Sequence, residues 1–226
     1  MSTMSDPMES LFPPFGLRIA CGPLRMRALR ESDFAEVFAS IERDGIYDDD
    51  RPMPFLMPWD VQGREQGWVP SMSFYWSVYA GFTPETWHLM FRVEHEGRFV
   101  GVQDVMAHRF TSMRVLETGS WLLLSAQGRG IGTLMRQAVC AFGIDHLGAD
   151  EMVSGYIAGN GRSAAVSRKV GYLDNGTRRI ARPDGDGWRE ESLVRLPAER
   201  LVRPPYPVEV DGVDAFRTFI GLDAAS

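Results

Sequence analysis

The run Gln127-Gly128-Arg129-Gly130-Ile131-Gly132-Thr133 packs three glycines between two segments of different periodicity. Before it, Ser120-Trp121-Leu122-Leu123-Leu124 reads as a buried strand. After it, Ile131, Met135, Val139 and Phe142 recur at helical spacing. A glycine-dense turn therefore joins a strand to a helix and feeds the helix N-terminus. Unpaired backbone N–H groups and the positive end of the helix dipole meet there and favour a phosphate or pyrophosphate. Glycine lets the backbone approach the anion and take positive φ.

The spacing restricts the ligand. A P-loop needs Gly-Lys-Ser/Thr after a four-residue gap, and the chain holds no such run. A dinucleotide fingerprint needs glycine at 133, where this chain has Thr, although Asp150 sits where a ribose-binding acid would. A tight strand-to-helix connection without any ligand would use the same residues.

The rest of the chain mixes both periodicities. Residues 1–16 carry Pro7, Pro13, Pro14 and Gly16 as breakers. Leu17 to Leu29 predicts one or two short strands, interrupted at Gly22-Pro23, and Ser32 or Asp33 is expected to cap a helix to about Ile41. Asp44 to Pro58 reads as a loop, and Gln62 to Gly81 as partly helical, with Pro70 marking a start or a kink. Leu89 to Val93 and Phe99 to Val105 predict a hairpin across Glu94-His95-Glu96-Gly97. A strand at Glu117, the helix to about Leu147, and a strand from Met152 to Ile157 follow. Then come a helix opened by Asn160 and closed at Gly171-Tyr172, and two last strands around Ile180 and Leu193 to Leu196. Early hairpins and late crossovers predict an α+β sandwich around a mixed sheet.

Four segments, in order, resemble one family. Gln127-x-x-Gly130-x-Gly132 is similar to the Gln/Arg-x-x-Gly-x-Gly/Ala motif of the GNAT superfamily of N-acetyltransferases. Asn160-Gly161-Arg162-Ser163 followed by Ser167-Arg168-Lys169-Val170-Gly171-Tyr172 resembles its second signature. Glu117 to Leu122 and Leu24 to Asp33 look like the fourth strand and the opening strand and cap of the RimJ/RimL-type branch. The resemblance spans residues 24–172. It implies the GNAT fold: a mixed, mostly antiparallel sheet splayed after the fourth strand and flanked by helices. Residues 1–198 would form the acyltransferase domain. Residues 199–226 resemble a C-terminal extension of one bacterial subgroup, expected to pack on the domain or on a second subunit, which makes a homodimer an expectation.

The implied chemistry is acyl transfer from acetyl-CoA or succinyl-CoA to a primary amine, in a ternary complex with direct attack. The acceptor is a protein lysine or N-terminus, or a small amine. Cofactor contacts are implied at Trp121, Leu122, Leu123, Gln127, Gly128, Arg129, Gly130, Ile131, Gly132, Thr133, Asn160, Ser163 and Ser167. The N–H groups near Leu122 and Leu123 would polarise the thioester carbonyl. Glu117, on the same strand face as Gly119 and Trp121, is the expected base, acting through a water because a carboxylate is too weak to strip an ammonium directly. Ser167 stands where much of the superfamily has the tyrosine that protonates the thiolate, and is the expected donor. A succinyl donor would need a cation, for which Arg51 is one candidate, and Asp48, Asp49 and Asp50 could attract a cationic acceptor. A catalytically weak acyl-CoA sensor is the alternative.

Net charge is −6, which argues against nucleic acid as a main partner. Cys21 and Cys140 lack metal spacing and read as buried thiols, so no metal and no covalent cysteine route is expected. The start of the chain lacks a signal-peptide pattern and no apolar run reaches membrane-spanning length, so a cytoplasmic protein without a membrane partner is expected.

Overall fold

The computed structural model describes residues 6–48 and 53–223. Asp49, Asp50 and Arg51 lie outside them. After a short helix α1 (Pro7–Leu11), β1 (Arg18–Cys21) and β2 (Leu24–Ala28) form a hairpin, so Gly22-Pro23 divides the opening segment into two strands. Helix α2 (Phe34–Asp44) is followed by α3 (Trp59–Gln66) and α4 (Val69–Ala80), with Pro70 in the first turn of α4. Pro70 thus starts a helix, where its missing N–H is no loss.

The long hairpin of β3 (Thr86–His95) and β4 (Arg98–His108) turns through Glu96 and Gly97 alone, at φ 53° and 74°. Two left-handed residues match the right-handed twist of the flanking strands. A short helix α5 (Phe110–Met113) leads to β5 (Val115–Leu122), then α6 (Ile131–Ala141), β6 (Glu151–Ile157), α7 (Gly161–Val170), β7 (Leu173–Ala181) and β8 (Trp188–Pro197). The tail adds β9 (Val208–Asp211) and α8 (Val213–Phe219).

The sheet has the order β7-β8-β6-β5-β4-β3-β2-β1-β9, and every pair is antiparallel except β5 with β6. Alternation along β3 divides the core. Leu89, Phe91 and Val93 join the face covered by α6 and α8, while Met90 faces the cluster of α2 and α4 with Phe34, Val37, Phe38 and Tyr75. The α6 stripe of Ile131, Met135, Val139 and Phe142 is buried throughout, as its spacing predicts, and the helix runs on into a π-helical turn, Phe142–His146. Phe216 of α8 is 0% exposed, its ring 5.4 Å from that of Trp87. Among the described residues no helix is long and apolar enough to cross a membrane.

Two local expectations change. The predicted strand through Leu124 ends at Leu122, and Leu124–Ala126 forms a 3-10 turn. The Leu124 N–H donates to the Gly45 carbonyl (3.0 Å), which draws the chain out of the sheet. Asp33 ends a 3-10 turn (Glu31–Asp33) and does not cap α2 through its side chain. Its carboxylate instead accepts from the Arg30 N–H (2.8 Å) and from Nη1 and Nη2 of Arg27, beside buried Arg92. Burial alone would raise this carboxyl. The Arg27 and Arg30 bonds and the charges of Arg27 and Arg92 outweigh it and hold the carboxyl below its ordinary value.

Candidate active site

The site exists because two neighbouring strands part company. β5 and β6 pair only from Val115 with Glu151 to Thr118 with Ser154. Beyond that, Gly119 to Leu122 pair with β4 alone, and Gly155 to Ile157 pair with β8 alone. The V between them opens into a cleft of ≈ 490 Å³. Its far side is α7, and its mouth is the glycine turn.

That turn holds the conformation the sequence demands of it. Gly128 and Gly130 sit at φ 74° and 82°, with Gly130 at the N-cap of α6 and open space where a Cβ would stand. Thr133 and Leu134 return their N–H groups to the Gly130 carbonyl, while the N–H groups from Gly128 to Gly132 find no backbone acceptor outside the helix among the described residues. A row of free donors on a helix N-terminus is an anion site. Arg162 and Lys169 of α7 line the same cleft and add positive charge.

Gln127 pins the turn. Its amide nitrogen donates to the carbonyls of Ile46 and Leu122, each at 2.8 Å, and its amide oxygen accepts from Arg162. Arg162 also lies 3.7 Å from Asp48. Asn160 caps α7 by accepting from the Ser163 N–H (3.1 Å), and Gly171 closes that helix at φ 108°.

A second cavity of ≈ 440 Å³ opens on the other side of β5. Its walls are apolar and aromatic, from Phe55, Met57, Trp59, Phe74, Tyr75 and Trp121. Phe55, Ser120 and Trp121 line both spaces, so the two meet at the open end of β5. Among the described residues, Asp104 of β4 is the one carboxylate lining the second cavity. It lies opposite Gly119, where an added Cβ would stand 3.5 Å from Asp104 Oδ2. Among the described residues Asp104 Oδ1 is buried without a hydrogen-bond partner, and Oδ2 is 3.5 Å from His88 Nε2. An orphaned carboxylate oxygen in an apolar cavity suits a ligand that brings a donor.

A family model described as an acetyltransferase (GNAT) domain matches residues 23–173. The chain belongs to the GNAT acetyltransferase family. Solved structures share its fold. Mycobacterium smegmatis RimJ in complex with CoA-disulfide is 20% identical with a TM-score of 0.60, over 91% of this chain and 94% of that one. RimL, a ribosomal L7/L12 alpha-N-protein acetyltransferase in complex with coenzyme A, is 18% identical with a TM-score of 0.59, over 78% and 94%. Spermidine N-acetyltransferase from Vibrio cholerae, in complex with CoA and spermine, is 10% identical with a TM-score of 0.58, over 79% and 97%.

Of the residues that the GNAT motifs single out, Trp121, Leu122, Gln127, Gly128, Gly130, Gly132, Thr133, Asn160 and Ser163 all line the cleft. Arg129, Ile131 and Leu123 do not. Arg129 is exposed beside it, Ile131 is buried in the core, and the Leu123 N–H donates to the Val100 carbonyl (2.9 Å). Alternation along β5 turns the Leu122 N–H the other way, toward the gap. Glu117 is exposed and lines neither space, and Ser167, 2% exposed with an Oγ that has no partner among the described residues, lines neither. The cysteines are buried, and burial pushes the Cys140 thiol up to about 11.

Three residues escaped sequence reasoning. Asp104 stands in the middle of a predicted strand, two positions from Val102, and a charge at an inward position was its signal. Tyr156 follows Gly155 at the point where β6 leaves β5, with nothing in the sequence to mark it. Arg136 lies one helical turn beyond Gly132, which was enough to place it on the cleft side of α6.

Proposed function

We propose that this chain is an acyl-CoA-dependent N-acyltransferase that moves an acetyl or succinyl group onto a primary amine. The observation that carries this reading is the meeting of an anion-binding cleft and a carboxylate-bearing aromatic cavity at Ser120 and Trp121. The free N–H groups from Gly128 to Gly132 would hold the pyrophosphate, and the V between β5 and β6 would admit the pantetheine arm. The Leu122 N–H faces the gap and is the donor offered to the thioester carbonyl.

The amine would enter from the second cavity. Asp104 would hold its ammonium against the aromatic walls and pass a proton away through water. Asp104 takes this part in preference to Glu117, whose carboxylate is exposed away from both spaces. Ser167 would need to leave its buried position to meet a thiolate, whereas Tyr156 already lines the cleft. The acceptor class remains a protein amine or a small amine; similar folds serve a ribosomal protein acetyltransferase and a spermidine acetyltransferase.

The test is isothermal titration with acetyl-CoA and succinyl-CoA, followed by thiol-release assays across protein, peptide and polyamine acceptors. One-to-one binding with amine-dependent thiol release supports the reading. Binding without turnover over the whole panel would instead support an acyl-CoA sensor, and loss of all CoA binding would remove both.

A further inference from the structure

The second cavity has one charged point and a long apolar remainder. Asp104 pairs in register with Gly119, next to Ser120 and Trp121, which line cleft and cavity alike. Its carboxylate therefore lies at the end of the cavity that meets the cleft. The rest of the wall comes from the segment before α3 and from α3 and α4, through Met57, Trp59, Phe74 and Tyr75.

This wall is held in place from several sides. The rings of Phe55, Trp59 and Trp121 meet edge to face in series, with centroids 5.9 and 5.8 Å apart. Arg189 of β8 lies 134 residues beyond Phe55 in the chain, and its Nη1 donates to the carbonyls of Met53 (3.0 Å) and Phe55 (2.6 Å). The β7–β8 hairpin thus fixes the backbone that carries the Phe55 ring. Phe74 lines the same space yet is 54% exposed, a large apolar surface that a ligand would cover.

These walls discriminate among amines. A polyamine would set its further ammonium groups against rings and a thioether, and among the described residues no second carboxylate lines the cavity to receive them. A peptide would bring backbone amides that such walls leave unpaired. An aromatic body has neither cost, and gains both apolar burial and ring packing.

We propose that the acceptor is a small monoamine carrying an aromatic ring on a short alkyl linker, held by Asp104 at its nitrogen and by the ring wall at its body. This rests on the reading of the chain as an acyl-CoA-dependent N-acyltransferase whose amine enters the second cavity. The amine nitrogen bonds the acyl carbon as the C–S bond breaks. Of the two protons that the ammonium gives up, one ends on the CoA thiol and one in solvent. Such an acceptor differs from those named for the proteins of similar fold, a ribosomal protein and spermidine.

Initial rates of thiol release by the full chain, with acetyl-CoA and with succinyl-CoA as donor, compare phenethylamine, propylamine, spermidine and trialanine. Burial of the ring predicts a kcat/KM for phenethylamine about tenfold or more above each of the others. Ser71 lines the cavity in the first turn of α4, where an acid suits the helix N-terminus. Ser71→Asp supplies a second carboxylate and should lower the ratio of phenethylamine to spermidine by about fivefold or more, with melting curves reporting that the variant is folded. Spermidine, trialanine or propylamine reacting as well as phenethylamine would overturn the proposal and leave acyl transfer standing, as would a ratio that a folded Ser71→Asp leaves unchanged. Acyl-CoA binding with no thiol release to any amine would overturn the proposal together with the transfer reading.

Discussion

Replacing Gly130 by glutamate tests whether the glycine turn is a phosphate site. Gly130 sits at φ 82°, and an added Cβ would meet nothing within 4 Å. Alanine at this position therefore brings backbone strain without a clash, about 1–2 kcal/mol of stability. Glutamate brings the same strain and a carboxylate at the mouth of the cleft. At about 6 Å and an effective dielectric of about 40, each phosphate charge would be repelled by about 1.4 kcal/mol. A pyrophosphate carries two such charges, so Gly130→Glu should bind CoA roughly a hundredfold more weakly than Gly130→Ala. Calorimetry on the two variants, side by side, isolates the charge from the strain. High salt should recover part of the loss, because an exposed charge at a cleft mouth is screened. If Gly130→Glu binds CoA within about threefold of Gly130→Ala, the anion lies elsewhere and the donor row from Gly128 to Gly132 is only a tight connection.

Asp104→Asn should lower kcat/KM for the amine by about a hundredfold or more while acyl-CoA affinity, read by calorimetry, is kept, since the carboxylate faces the second cavity. Gly171→Ala should cost about 2–4 kcal/mol in denaturant unfolding, because its Cβ would stand 2.4 Å from the Arg200 carbonyl at a φ of 108°. Asp33 has a lowered folded-state value, so its contribution to stability is whole above the ordinary aspartate range of about 4 and is lost as pH falls through the lowered value. Asp33→Asn should therefore destabilise the neutral protein by about 3 kcal/mol and flatten the acid side of a plot of melting temperature against pH.

The elements that sequence made legible are those with local chemistry. Gly128 and Gly130 needed positive φ, Asn160 needed a helix to cap, and Glu96-Gly97 needed a hairpin; each reports its structure within a few residues. The cleft was legible for the same reason, since its mouth is a local turn. What was not legible depends on partners far away in the chain. Asp33 reads as a helix cap until Arg92 of β3 is folded beside it. Glu117 and Asp104 are both strand acids, and only the register of β4 on β5, with the helices above, decides which faces a cavity. Ser167 aligns with a motif position, yet the rotation of α7 turns it under the helix while Val166 and Lys169 face the cleft. Arg136 resembles a surface arginine until the splay of β5 from β6 gives it an interior to occupy.

The pairing of β9 with β1 sets the timing of assembly. Ile19 lies opposite Val210, so β1 completes its ladder only with a strand synthesised long after it. Closing so long a loop is entropically slow, and the partner must first leave the ribosome. Until then β1 offers a bare edge, and the surface of Trp87 and Phe142 that receives Phe216 stays wet. The nascent domain therefore passes through a sticky interval that only β9 and α8 can end, and chaperone dependence should track those two elements rather than the cleft.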